Sequence, residues 1–188
     1  AIRGTSQYRR ASFLLNACGE KVFPAFLDIE EDPFIASAMG STPFDNEGVA
    51  TCRRTLIDGG VLQGYVLSSY SARRLGLQTT GNAGGIHNLV VNPTAGTLEE
   101  LLREYPQAFM VGELLGQGVN IVTGDYSRGA AGFWVEKGEI AQPVHEVTIA
   151  GNLKDIFHGI QAVGSDVDLR GSVRCGSVLV ESLTVAGS

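Results

Sequence analysis

Glycine constrains this chain more than any other residue. Twenty-five of its 188 residues are glycine, roughly twice the average usage of about 7%, and they are spread along the whole length. Such spacing predicts many turns between short strands, because glycine supplies the positive φ that tight turns require. Neither a collagen-like period nor a low-complexity block is present.

The turn signals divide the chain into short elements. CRRTLID and VLQGYVLS flank Gly59-Gly60, the pattern of a hairpin closed by a primed turn. SSYSARRLG predicts a short helix capped by Ser68 or Ser69 and ended at Gly76. Thr97-Leu-Glu-Glu100 is a capping box opening the helix TLEELLREY. Phe109–Leu115 and Val119–Thr123 read as strands, GDYSRGA as a turn, and AGFWVEKGEI as a hairpin about Lys137-Gly138. Phe133 and Trp134 alternate on that strand, so one of the two is expected to be buried. PVHEVTIAG is a further strand. Asn152 caps NLKDIFHGIQAV, where Leu153, Ile156, Phe157 and Ile160 share one helical face. About nine strands and three or four helices, without regular alternation, predict a single α+β domain with a mostly antiparallel or mixed sheet. The length suits one core.

Charge and composition exclude several classes of function. Apolar residues make up 44% and charged residues 18%, as in a globular chain. The net charge is −6, and the basic residues cluster only as the pairs Arg9-Arg10, Arg53-Arg54 and Arg73-Arg74, which argues against direct nucleic-acid binding unless folding gathers them. No run approaches the ~18 apolar residues of a membrane span and no signal peptide is recognisable. Cys18, Cys52 and Cys175 are odd in number and widely spaced, which suits free thiols in a reducing, cytoplasmic compartment. The chain starts at AIRGTSQYRR, and its methionines are Met39 and Met110, so it reads as a piece of a longer protein.

Each chemical motif has a plain structural reading beside it. His145-Glu146 starts like a zincin, but Ile149 stands where the second histidine belongs. His145 is therefore expected to be a surface strand residue. His158 lies on the amphipathic helix beside Phe157. His87 follows Gly84-Gly85-Ile86 in the aperiodic loop TTGNAGGIHN, which reads equally as a site-lining loop or a tight turn. Gly81-Asn-Ala-Gly84-Gly85 lacks both the P-loop Lys-Ser/Thr and dinucleotide GxGxxG spacing. No nucleophile elbow stands between a strand and a helix. Cys175 has no histidine near it in sequence to act as its base, so a buried thiol is the expected state.

Six segments together carry a resemblance: STPFDNEGVATCRR, LSSYSARRLGL, TTGNAGGIHN, ELLGQGVNIVTGDYSRGAAGFWVEKGEI, PVHEVTIAGNLKDI and VRCGSVLV. Across almost all of its length the chain resembles the carboxy-terminal domain of the TldD/PmbA peptidase family, on its TldE (PmbA) side. The resemblance implies that residues 1–188 are this domain, with an amino-terminal domain preceding it. It also implies a TldD-type partner whose HExxxH motif and later cysteine hold zinc. Cys175-Gly176 occupies the place of that ligand cysteine, so Cys175 is expected to be a relic or structural thiol, with no metal and no catalytic residue in this chain. The family's heterodimer acts on unfolded peptides in the bacterial cytoplasm, trimming a peptide antibiotic and removing an antitoxin, and members carry the older label of modulator of DNA gyrase.

Three readings of function stay open here. They are a subunit of a metallopeptidase complex paired with a TldD-type partner, a silent peptide-binding or regulatory homodimer, and a self-sufficient cysteine hydrolase using Cys175. The cleft is expected to be lined by Gly81, Asn82, Gly84, Gly85 and His87 of one loop and by Asp125 and Arg128 of a second loop lying near it. Asp125 and Arg128 could equally pair within their own turn. Peptide is expected to add as a strand to a sheet edge at Phe109–Leu115 or Val119–Thr123.

Overall fold

Gly59 and Gly60 both take positive φ, at 53° and 80°, which closes the predicted hairpin as a primed turn. A Cβ on Gly60 would also run into the main chain of Phe23 and Pro24, so the turn is held against the 23–27 segment. The structure is a computed structural model that describes residues 1–105 and 107–187. In chain order its elements are α1 (Gly4–Tyr8), β1 (Ile29–Glu31), β2 (Arg54–Asp58), β3 (Val61–Leu62), α2 (Ser69–Leu75), β4 (Leu89–Val91), α3 (Leu98–Glu104) and β5 (Gln107–Leu115). There follow β6 (Asp125–Glu136), β7 (Glu139–Asn152), α4 (Leu153–His158), β8 (Ile160–Val163), β9 (Val173–Arg174), β10 (Val178–Val180) and β11 (Thr184–Ala186).

The strands form three sheets, so the fold is α+β. The first has the order β3-β2-β1-β4-β9, antiparallel except for the parallel pair β4 and β9. The second pairs β8 with β10, and the third runs β11-β7-β6-β5 with every pair antiparallel. Among the described residues no helix is long and apolar enough to cross a membrane.

The core explains how the end of the chain meets its beginning. Ile57, Leu62 and Val91 from the first sheet pack with Phe13, Phe23, Leu27, Ile160 and Val163. Phe157 of α4 stacks on Phe23 with ring centroids 4.6 Å apart and tilts against Phe13 at 5.9 Å. Aromatic pairs of this kind contribute about 0.5–1.5 kcal/mol beyond the area they bury.

The caps form as the sequence predicts. Ser68 and Ser71 make a reciprocal capping box on α2, which ends on Gly76 at φ 69°. Thr97 and Glu100 do the same for α3, and the Asn152 side chain accepts from the Lys154 N–H at the start of α4.

Four expectations are corrected. Val119–Thr123 is not a strand: Val119 makes one bridge to Tyr126, and Asn120 Oδ1 accepts from Val122 N–H at 3.0 Å and Thr123 N–H at 3.4 Å, turning the chain. Side-chain acceptance of this kind competes with strand pairing. GDYSRG is not a loop, because Asp125–Arg128 open β6 and pair with Ile149–Asn152. The helix predicted across NLKDIFHGIQAV stops at His158, and Ile160–Val163 pair with Val178–Val180 instead. The apolar run satisfied both periods, and strand pairing decided between them. Neither Phe133 nor Trp134 is buried: Phe133 is 39% exposed and Trp134 half-buried, facing Phe109 across the ladder.

Candidate functional site

The acidic run after Phe26 supplies the centre of the Gly81–His87 loop. Glu31 ends β1 with only 1% of its surface exposed, and burying a carboxylate is costly unless charge and hydrogen bonds compensate it. Both conditions are met. Its Oε1 accepts from Asn82 Nδ2 at 2.6 Å, from the His87 backbone N–H at 2.7 Å and from His87 Nδ1 at 3.0 Å. Its Oε2 accepts from Arg54 Nε at 3.1 Å. Arg54 also donates to the Tyr65 carbonyl at 3.0 Å. A carboxylate acceptor places the ring proton of His87 on Nδ1, which directs Nε2 away from Glu31.

Asn82 is consumed by this network. Its two amide hydrogens go to Glu31 and to the Gly85 carbonyl (3.0 Å), and its oxygen accepts from Thr80 Oγ1 at 2.6 Å. At 6% exposure it holds the loop and has no donor left for a ligand. Gly81 sits at φ 69°, where a Cβ would meet the Ala50 carbonyl, so only glycine fits there. Gly84 and Gly85 also have positive φ, and Gly84 lies against the Asn46 side chain.

Asp45 fixes the other flank. Burial pushes its carboxyl up, but backbone N–H groups of Ala83, Val49 and Glu47, at 2.8–2.9 Å, hold it below its ordinary value overall. Beside Glu31, the Asp32 carboxyl is held low mainly by hydrogen bonding from Arg53, against the effect of burial. Asn88, fully buried, donates to the Asp32 carbonyl and to Ser41 Oγ, both at 2.8 Å. One basic pair and one acidic run that look isolated in sequence thus meet: Arg53-Arg54 pairs with Glu31-Asp32. Nothing local signals this, since the partners stand more than twenty residues apart and meet through β1–β2 pairing.

Asp125 and Arg128 belong to the third sheet. They lie on β6, three residues apart, so their side chains leave opposite faces of the strand. Asp125 accepts from Thr123 Oγ1 at 2.6 Å and Asn152 Nδ2 at 3.2 Å. Arg128 donates to the Leu114 carbonyl at 3.1 Å. They do not pair with each other, which removes the reading of a local ion pair. Among the described residues no hydrogen bond or ion pair joins them to the Gly81–His87 loop.

Cys175 is half-buried against the main core. Burial, and then the Asp166 carboxylate, push its thiol up, the reverse of the lowered value that marks a reactive or ligating thiolate. Asp166 itself accepts from Ser177 Oγ at 2.6 Å. His145 is exposed at a bulge of β7, where Glu146 takes φ 56°, and His158 is exposed at the end of α4. Among the described residues no three His, Cys, Asp or Glu side chains converge as a metal site. The residues present around Cys175 do not fit zinc, which needs three or four protein ligands.

The α+β domain and its internally satisfied polar centre define the class first: a C-terminal domain of metallopeptidase type, since the family described as PmbA/TldA metallopeptidase C-terminal domain matches residues 1–187 and the chain belongs to it. Among particular relatives, it is 52% identical over 187 residues to Metalloprotease PmbA of Escherichia coli O157:H7, covering 100% of this chain and 42% of that protein. Against the Metalloprotease TldD homolog of Haemophilus influenzae it is 27% identical, covering 89% of this chain and 38% of that one. The crystal structure of a proposed modulator of DNA gyrase from Bacteroides thetaiotaomicron superposes with a TM-score of 0.94 at 34% identity, covering 100% and 42%. TldE from Thermococcus kodakarensis superposes with a TM-score of 0.87 at 25% identity, covering 99% and 45%. The chain spans about two fifths of the length of these relatives.

Proposed function

We propose that this chain is the carboxy-terminal domain of the PmbA (TldE) subunit in a cytoplasmic TldD/TldE metallopeptidase that cleaves unfolded peptides. The observation that carries the reading is the contrast in likeness: 52% identity to a PmbA protein against 27% to a TldD homolog. Zinc and the general base belong to the TldD-type partner in this reading, and Cys175 is a structural thiol. The domain contributes a wall of the shared cleft. His87 is its best-placed contact, because Glu31 fixes the ring through Nδ1 and leaves Nε2 without a part in that bond.

The test is reconstitution of the full-length protein with and without a TldD-type partner, using an unstructured peptide as substrate. Cleavage by the pair and not by the PmbA-side protein alone is the expected result. Cleavage by this protein alone would overturn the assignment, and peptide binding without cleavage by the pair would favour a silent binding protein.

A further inference from the structure

Folding gathers two of the three basic pairs. α1 and α2 pack against one another, and there Arg9 and Arg74 both lie over the Tyr8 ring, 5.8 and 5.5 Å from its centroid. Tyr70 meets the same ring edge-on at 5.8 Å. Arg9, Arg10, Arg73, Arg74 and Tyr70 are all exposed. None of these four arginines has an ion-pair partner among the described residues. The helices GTSQY and SYSARRL contain no acidic residue.

This local excess stands out in an acidic chain. The net charge is −6, so everything apart from these four arginines sums to −6 − 4 = −10. A guanidinium stacked on an aromatic face is pre-organised, with its edge N–H groups left to pair with carboxylates two at a time. Arg3, the N-cap of α1, reaches the Gly81–His87 loop: its Nη2 lies 3.3 Å from where a Cβ on Gly85 would sit.

We propose that the Arg9–Tyr8–Arg74 ledge binds acidic, unstructured peptide segments, the two guanidiniums pairing with side-chain carboxylates. This rests on the peptide-handling reading above and narrows it to a substrate class. Nucleic acid fits less well. The ledge is confined to the end of α1, its C-cap Arg9 and the seven-residue α2, whereas a phosphate backbone needs an extended basic track.

The experiment uses the full-length protein with its TldD-type partner and three labelled probes of equal length. One is a Glu/Asp-rich unstructured peptide, one its Gln/Asn counterpart, and one a single-stranded oligonucleotide. Binding is read by fluorescence anisotropy at low and high salt, and cleavage of both peptides is followed separately. Tighter binding of the acidic peptide is expected, weakened by salt and reduced about tenfold by Arg9→Gln with Arg74→Gln. An unchanged melting temperature shows that this variant folds; Arg74→Lys, which keeps charge without the planar fork, should recover only part of the loss. Equal binding of the two peptides, tighter binding of the oligonucleotide, or a double variant that binds like wild type would overturn the proposal. Cleavage of the neutral peptide without any acidic preference leaves the peptidase reading standing and removes the ledge. Arginine-dependent acidic binding without cleavage of either peptide does the reverse.

Discussion

Glu31 Oε1 accepts both the backbone N–H of His87, at 2.7 Å, and the ring Nδ1 of the same residue, at 3.0 Å. One buried carboxylate thus fixes the main chain and the ring of a loop residue 56 positions away in sequence. The same oxygen holds Asn82, so the loop is set by one strand end.

Removing that carboxylate is expected to destabilise the domain strongly. Glu31→Ala strands the Arg54 guanidinium and three donors in a buried site, and breaking a buried charged network from one side costs about 3–5 kcal/mol. Glu31→Gln keeps the shape and loses the charge, so a smaller loss is expected. Urea denaturation of both variants checks this, and equal midpoints for Glu31→Ala and wild type would exclude a structural role.

Acid should weaken the fold through Asp32 and Asp45. Both carboxyls are held below their ordinary value, Asp32 first by Arg53 and Asp45 by backbone donors that outweigh burial. A carboxyl that is harder to protonate when folded contributes stability that is fully present above the unfolded value of about 4. That contribution is lost as pH falls through the lower folded value. Urea midpoints measured from about pH 6 to about pH 3 should fall with acid, and Asp45→Asn should flatten the curve while lowering its plateau.

Thiol chemistry separates the three cysteines. Cys18 and Cys52 are exposed, and Cys175 is half-buried with its thiol pushed up. Alkylation of the native protein should therefore modify Cys18 and Cys52 well before Cys175, with the order read by peptide mass spectrometry. Cys175→Ser should leave both the zinc content and the peptide turnover of the reconstituted pair unchanged. Loss of one zinc per chain on that substitution would mean that Cys175 is a ligand.

Local rules carried much of the fold, and long-range pairing decided what they missed. The Gly59-Gly60 and Lys137-Gly138 turns and the Ser68, Thr97 and Asn152 caps depend on neighbours within a few residues. Those were legible. Ile160–Val163 became a strand because Val178–Val180 lies alongside, which periodicity cannot reveal. The candidate site divides in the same way. The glycines of the Gly81–Gly85 turn and His87 stand out in sequence, while Glu31 and Arg54 read as solvated charges until β1 and β2 bring them together. Asp125 and Arg128 read locally as a turn, and their pairing with Ile149–Asn152 makes them strand residues instead.

Peptide recognition through the backbone remains the most demanding expectation, and the third sheet provides a surface for it. Among the described residues β5 pairs only with β6 and forms the sheet's edge, and Val111, Leu114 and Leu115 along it are exposed. Beyond it, Val119, Ile121 and Val122 line an open groove of about 540 Å³ with Asp125 and Ser127. An edge strand presents unpaired N–H and C=O groups to any extended chain. Main-chain hydrogen bonds then give affinity without reading particular side chains. Each is worth about 1 kcal/mol net, so several must form together, which a folded protein cannot offer. Peptides N-methylated at alternate residues, in either register, should bind the full-length pair differently: the register whose amide hydrogens face β5 should lose most of its affinity and the other should keep it. If both registers bind as the unmethylated peptide does, recognition runs through side chains and the edge of β5 is not the docking strand.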